Sequence, residues 1–225
     1  MPSPTAGASA ALKTRKPTRV ERSKILREKI LRAAAEIVGE FGYQDASIGR
    51  IALAAGIAQG TIYLYFDTRQ ALFDELLPNT GQDMMRFIGE RLRGAKNFID
   101  VEERGINAFF EYLEIHPGFY RLLNEAEFAA PKAHQKHFAQ LLDHYVASMQ
   151  QSINDGTLEP ISVKEQRAIA YMLMSARSYF YAGYVKYGGT KRPPAHVIEA
   201  YLKIVQARFK PAAPGDGQPR KRARR

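Results

Sequence analysis

Cysteine is absent from all 225 residues, which excludes disulfides and zinc sites built on thiolates and fits a reducing compartment. No apolar run approaches the roughly 20 residues needed to cross a bilayer. The basic N-terminus lacks the apolar core of an export signal, so a soluble, cytoplasmic protein with no membrane partner is expected. Long alternating Val/Ile/Thr runs and internal repeats are missing as well, which argues against strands and solenoids. No Gly-rich phosphate loop, paired-carboxylate motif or nucleophile–base pair stands out. An enzyme is therefore disfavoured, and no catalytic residue or cofactor is expected.

What is present is a 45% hydrophobic composition with 25% charged residues, ample for a core. The net charge of +10 is concentrated at the two ends. Residues 1–32 carry nine Lys/Arg against Glu21 and Glu28, a net of +7, and residues 210–225 carry a net of +5. The body between them is close to neutral. Basic ends on a neutral body suit a polyanionic partner such as double-stranded DNA, or serve only as solubilising tails.

Apolar periodicity and breakers predict an all-α fold. A disordered basic arm is expected at 1–20, one helical domain at 21–78, a second at 79–209, and a disordered basic tail at 210–225. In the first helix, expected over about 23–41, Ile30, Ala33, Ala34, Ile37, Val38 and Phe41 form one stripe, and Gly42 stops it. Thr68 caps a helix over about 69–77 that Pro78 ends. Further helices are expected at about 80–95, 101–115, 118–128, 132–154, 163–187 and 194–209, with Pro117, Pro131, Pro160 and Pro193–Pro194 between them.

Residues 47–66 read SIGRIALAAGIAQGTIYLYF. Ser47 caps a short helix, Ile48, Ile51 and Ala52 form its buried side, Gly56 permits a sharp turn, and Ile62 faces back to the first helix. Small Ala52, turn Gly56 and aliphatic Ile62 form the steric pattern of two helices crossing through a short turn, a helix-turn-helix. The opposite face carries Gln59, Gly60, Thr61, Tyr63, Leu64 and Tyr65. Gln pairs with adenine and Thr or Leu meets a thymine methyl, while Tyr hydroxyls and helix N-terminal amides serve phosphates. Packing on the first helix is the plainer reading for Phe66, and both packing and phosphate contact are expected of Tyr63. Residues 33–80 have a net charge of −4, so affinity is expected from helix dipoles, exact placement and the basic arm, to which Lys13, Arg15, Lys16, Arg19 and Arg22 contribute materially.

Over residues 25–77 the sequence resembles the tetracycline-repressor (TetR) family of transcriptional regulators. The resemblance rests on Phe41-Gly42-Tyr43, Ser47, Ile51-Ala52, Ala55-Gly56-Ile57, Gly60-Thr61-Ile62-Tyr63, Tyr65-Phe66, Arg69 and Ala71-Leu72. By position it implies phosphate contacts from Ser47, Tyr63, Tyr65 and Arg69, and base or groove contacts from Gln59, Gly60, Thr61 and Leu64. Ala58 stands where the family usually has Ser or Thr, which leaves the recognition helix uncapped, and Arg69 stands where Lys is usual. After residue 80 the resemblance implies a helical effector domain whose last two helices pair with a second subunit.

The residues are compatible with a homodimer through 163–209. Ile169, Met172, Leu173, Ala176, Phe180 and Tyr184, then Val197, Ile198, Tyr201, Leu202, Val205 and Phe209, give helices apolar on more than one face. Being internal core helices of a monomer would explain them too. A pocket for an apolar or amphipathic effector is expected among Phe109, Tyr112, Tyr120, Phe138, Tyr145, Met172, Arg177 and Phe180. Arg177 either anchors an acidic ligand or, as favoured here, bridges to Glu125 or Glu127. His134 and His137 have a metal-compatible step but no third ligand nearby, so these and His144 are expected at the surface, with no metal. The function expected is a ligand-responsive repressor that binds a palindromic operator as a dimer; the rivals are an enzyme and an architectural DNA-coating protein.

Overall fold

A computed structural model describes Lys16 and residues 18–209. The arm expected at 1–20, with its Lys13 and Arg15, and the tail expected at 210–225 lie outside the described residues apart from Lys16 and residues 18–20. Among the described residues there is no strand. Helix α1 (Arg19–Asp45) is followed by α2 (Ile48–Ala55), α3 (Gln59–Ile62), α4 (Arg69–Arg91) and α5 (Phe98–Ile115). Then come α6 (Phe119–Ala129), α7 (Pro131–Asn154), α8 (Val163–Phe180), a π-helical turn (Tyr181–Lys186) and α9 (Ala195–Arg208).

α1 begins four residues before the expected start. The Thr18 hydroxyl accepts from Glu21 N–H (3.2 Å), and the Glu21 carboxylate accepts from Thr18 N–H (2.6 Å). This capping box satisfies two otherwise orphaned amides and brings residues 19 and 20 into the helix. Gly42 interrupts α1 at φ 82°, and one more helical stretch follows to Asp45. Gly42 takes a conformation in which any other residue is strained. Its φ is left-handed, and a Cβ there would lie 2.7 Å from Glu125 Oε2 and 2.9 Å from Arg121 Nη2.

The expected break at Pro78 does not occur, and α4 runs through it as one rod from Arg69 to Arg91. An interior proline costs about 3 kcal/mol. Leu72, Phe73, Leu76 and Leu77 are buried before it, and Thr80, Gly81 and Met84 after it. At about 1.5–3 kcal/mol for each large apolar side chain, burial on both sides outweighs the lost hydrogen bond. The domain boundary expected near residue 78 is thus crossed by a continuous helix. The 163–187 helix keeps its extent but changes type, turning π-helical from Tyr181.

One apolar core joins both halves, from Ile30, Val38, Ile51 and Ile62 through Leu72 and Leu76 to Ile106, Phe110, Leu122 and Met149. α1 lies against α2, α4 and α6, while α4 also packs on α5 and α7.

Candidate nucleic-acid interface and effector cavity

The reading head is built as its local chemistry dictates. Ser47 Oγ accepts from Arg50 N–H (3.2 Å) and caps α2, and Gly56 ends that helix at φ 62°, ψ 41°. Ala58 leads α3 with no side-chain cap. Ile51 and Ile62 are fully buried and Phe66 nearly so, which fixes the crossing of α2 and α3. Around them Ser47, Gln59 and Gly60 are exposed, as are Tyr63 and Leu64, and Thr61 and Tyr65 are half-buried. Leu64 keeps 81% of its surface exposed. An apolar side chain so exposed, one turn after Gln59 and Gly60, marks this as the outward face of the head.

The head spends its own cations on itself. Arg69 donates from Nε to the Ala46 carbonyl (3.0 Å) and from Nη2 to the carbonyls of Gln44 (2.8 Å) and Tyr43. Its guanidinium also lies over the Phe73 ring (4.7 Å). These are carbonyls that the end of α1 leaves without helical partners. Arg50 donates to the Asp45 carbonyl (3.3 Å) and sits 4.6 Å over Phe41. Exposed positive charge lies instead on α1, at Arg19, Arg22, Lys24, Lys29 and Arg32.

α6 clamps the far end of α1. Arg121 donates to the carbonyls of Glu40 (2.7 Å) and Phe41 (3.2 Å) and pairs with Glu125 (2.7 Å), whose Oε2 accepts from Tyr43 N–H (2.9 Å). Burial alone would raise the Glu125 pKa, but Arg121 and the Tyr43 amide outweigh it and hold the carboxyl below its usual range. Gly39 and Gly118 meet backbone to backbone: a Cβ on Gly39 would stand 2.7 Å from the Gly118 Cα. Only two glycines allow the helices to come so close.

Behind the head, α4, α5, α6, α7 and α8 line a partly open cavity of about 440 Å³, within the range of small-molecule sites. Its walls are chiefly apolar, with Met84, Met85, Ile88, Leu92, Phe98 and Leu141 among them. Glu102 and Arg177 form a buried ion pair in the wall (2.7 Å). Tyr201 donates to Glu102, and Arg177 lies 5.4 Å over Tyr145. Burial alone would lower the Arg177 pKa; Glu102 beside it reverses that and secures the charge.

The model of the bacterial regulatory proteins of the tetR family matches residues 30–76, from the buried face of α1 through the reading head into α4. Residues 30–76 are thus similar to the DNA-binding domain of the tetR family. The HTH-type transcriptional regulator YvdT of Bacillus subtilis, itself uncharacterized, is 40% identical over 89 residues, 40% of this chain and 46% of that protein. The fatty acid metabolism regulator protein of the same organism is 42% identical over 76 residues, 34% of this chain and 38% of that protein. The chain thus spans less than half the length of either relative. Solved structures extend the likeness of fold to the body. A putative TetR-family regulator from Rhodococcus sp. has a TM-score of 0.69 at 14% identity, covering 83% of this chain and 100% of its own. FadR of Bacillus subtilis, in complex with stearoyl-CoA, has a TM-score of 0.66 at 19% identity, covering 79% and 96%.

Arg69, expected on phosphate, donates to three backbone carbonyls and fastens the head, with part of its side chain still exposed. Other expectations need correcting. Of the expected pocket residues, Phe109, Tyr120, Phe138, Tyr145 and Arg177 line the cavity, and Tyr112, Met172 and Phe180 do not. Tyr112 is turned into the core against Phe87 and Phe119, Phe180 packs on Tyr201, and Met172 is 64% exposed on the outer face of α8. Arg177 does bridge, but to Glu102. Glu125, its expected partner, is taken by Arg121, and Glu127 is exposed. His137 is buried, not at the surface, because Gly81 on α4 leaves room for its ring. No metal-binding group of three or more His, Cys, Asp or Glu occurs among the described residues.

Sequence reasoning missed Glu102 and the Met84–Ile88 wall. A signal existed for the first: Glu102 stands at four-residue steps between Phe98 and Ile106 on the stripe of α5 that is buried. For the second, reading Pro78 as a stop cut α4 before it reached the cavity.

Proposed function

We propose that this chain is a ligand-responsive transcriptional repressor and not an enzyme. It works in the cytoplasm, reads a palindromic operator as a homodimer, and releases it when an apolar or amphipathic molecule enters the cavity. The observation that carries this reading is that the same two helices serve both sites. α4 starts at the head with Arg69 and ends in the cavity wall with Met84, Met85 and Ile88. α6 contributes Tyr120 and Leu123 to the wall and Arg121 and Glu125 to the clamp on α1. A ligand that moves α4 or α6 therefore moves the head. The α6 clamp ties the cavity wall directly to the end of α1.

Gln59, Gly60, Thr61 and Leu64 are proposed to face base edges in the major groove, and Ser47, Tyr63 and Tyr65 the phosphates. Arg19 and Arg22, with the rest of the α1 cations, supply backbone affinity. Homodimerisation through 163–209 is supported by the exposure of Tyr171, Met172 and Tyr179 on α8 and Ile204 on α9, a concentration of apolar surface that suits a partner. The stearoyl-CoA held by the structural neighbour, and the fatty acid regulator among the relatives, favour an effector with a long apolar chain. Selection of bound DNA from a random pool tests the reading. A palindromic consensus is expected; recovery of DNA with no common sequence would remove it in favour of an architectural role.

A further inference from the structure

The charges in the cavity wall bear on which effector it takes. Glu102 and Arg177 are its one pair of fully charged, buried groups among the described residues, and they cancel each other. Arg177 uses a single nitrogen: Nη1 meets Glu102 Oε1 and donates to the Leu173 carbonyl (3.1 Å). No hydrogen bond among the described residues engages its Nε or Nη2. The missing side chain of Gly105, also in the wall, leaves space beside that edge, since a Cβ there would stand 3.5 Å from Nη2. The guanidinium therefore presents spare donors in the cavity wall to any acceptor that enters.

Across the wall, His137 on α7 is 1% exposed, and its Nε2 has no hydrogen-bond partner among the described residues. Burial pushes its pKa down to about 4, so the ring is neutral near pH 7. It adds a hydrogen-bonding group but no charge.

We infer that the cavity selects an uncharged amphipath: an apolar chain ending in a carbonyl-type acceptor, as in an ester or thioester, that receives the spare Arg177 donors. A free carboxylate brought to the same edge would stand beside Glu102, and an ammonium beside Arg177. Either leaves a buried charge without compensation, which is strongly unfavourable. Glu102 is thus a specificity-determining residue that rejects free acids by occupying the place of their counter-charge. The inference rests on reading the cavity as an effector site.

The test is displacement of Nile red, an uncharged apolar dye, from the full-length protein by methyl decanoate, decanoate and decylammonium, each below its micellar concentration. The ester is expected to displace the dye at least about tenfold more tightly than either ion. In Glu102→Gln, decanoate is expected to gain about tenfold relative to the ester, because Arg177 then lacks its anion. Equal or tighter binding of decanoate by the wild-type protein overturns the inference, and this comparison stands even if the variant does not fold. So does an unchanged ratio in a folded variant. If none of the three compounds binds, both the selectivity and the effector reading fall. If they bind in the expected order but operator DNA stays bound, the selectivity holds and the effector role alone is lost.

Discussion

The reading head and the helical body both contain arginines held by oxygen acceptors, but the acceptors differ. In the head, Arg69 and Arg50, joined by Arg121 from α6, bond to main-chain carbonyls at the end of α1. In the body, Arg177 faces a carboxylate, Glu102, inside an apolar wall. A guanidinium on carbonyls ties a loop to a helix without needing a counter-charge, and the partly exposed setting keeps desolvation cheap. A guanidinium on a buried carboxylate gains little net stability but fixes a polar spot within an apolar surface. The first arrangement makes a stiff scaffold for DNA contact and leaves affinity to the cations of α1. The second makes a site with chemical preference.

The contrast is broken most severely at Glu102. Glu102→Ala leaves Arg177 charged and unpaired in the wall, and a loss of about 3–5 kcal/mol is expected, read as a lowered midpoint in denaturant unfolding. A loss below about 1 kcal/mol would mean that water or the ligand space already compensates the guanidinium.

Next comes Arg69→Ala. Hydrogen bonds from charged donors contribute about 1.5–3 kcal/mol each when buried. Arg69 is only half-buried, so about 2 kcal/mol for the set is expected after screening by solvent. Thermal unfolding checks this. A variant of unchanged stability that binds DNA weakly would return Arg69 to the phosphate-binding role suggested by the family resemblance.

Smallest is Ala58→Ser, which gives α3 the hydroxyl cap it lacks and should stabilise the head by about 1 kcal/mol. Stability unchanged within error would show that the Ala58 backbone geometry already places the α3 amides as well as a cap could.

What was legible in the sequence follows the range of the forces involved. Ser47, Gly56 and Ile62 obey short-range rules of caps, turns and buried spacing, and they stand where those rules put them. So does Thr68, whose hydroxyl accepts from Ala71 N–H (3.0 Å). Pro78 obeys a local rule too, yet packing on both sides of it overrides the rule. The carbonyl ties of Arg69 join residues 23–26 positions apart, and Arg121 reaches back 80 and 81 positions. No periodicity encodes such pairings, so the clamp and the true partner of Arg177 emerge only from the folded chain. The cavity was legible as a cluster of aromatics but not in its outline, because helix faces decide which aromatics look inward. Tyr120 and Tyr145 do, while Tyr112 and Phe180 are consumed by the core.

The division between a specific head and a cationic α1 is tested most directly by the ratio of affinities for the selected operator and a scrambled duplex. It is measured by fluorescence anisotropy at fixed salt for the wild type, Gln59→Ala and the double variant Arg19→Ala/Arg22→Ala. Loss of phosphate contacts should weaken both duplexes alike, leaving the ratio unchanged and the salt slope lowered by up to about 2. Loss of a base contact should reduce the ratio by about 1–3 kcal/mol, roughly five- to a hundredfold. A ratio that falls with the α1 cations and is indifferent to Gln59 would contradict the account.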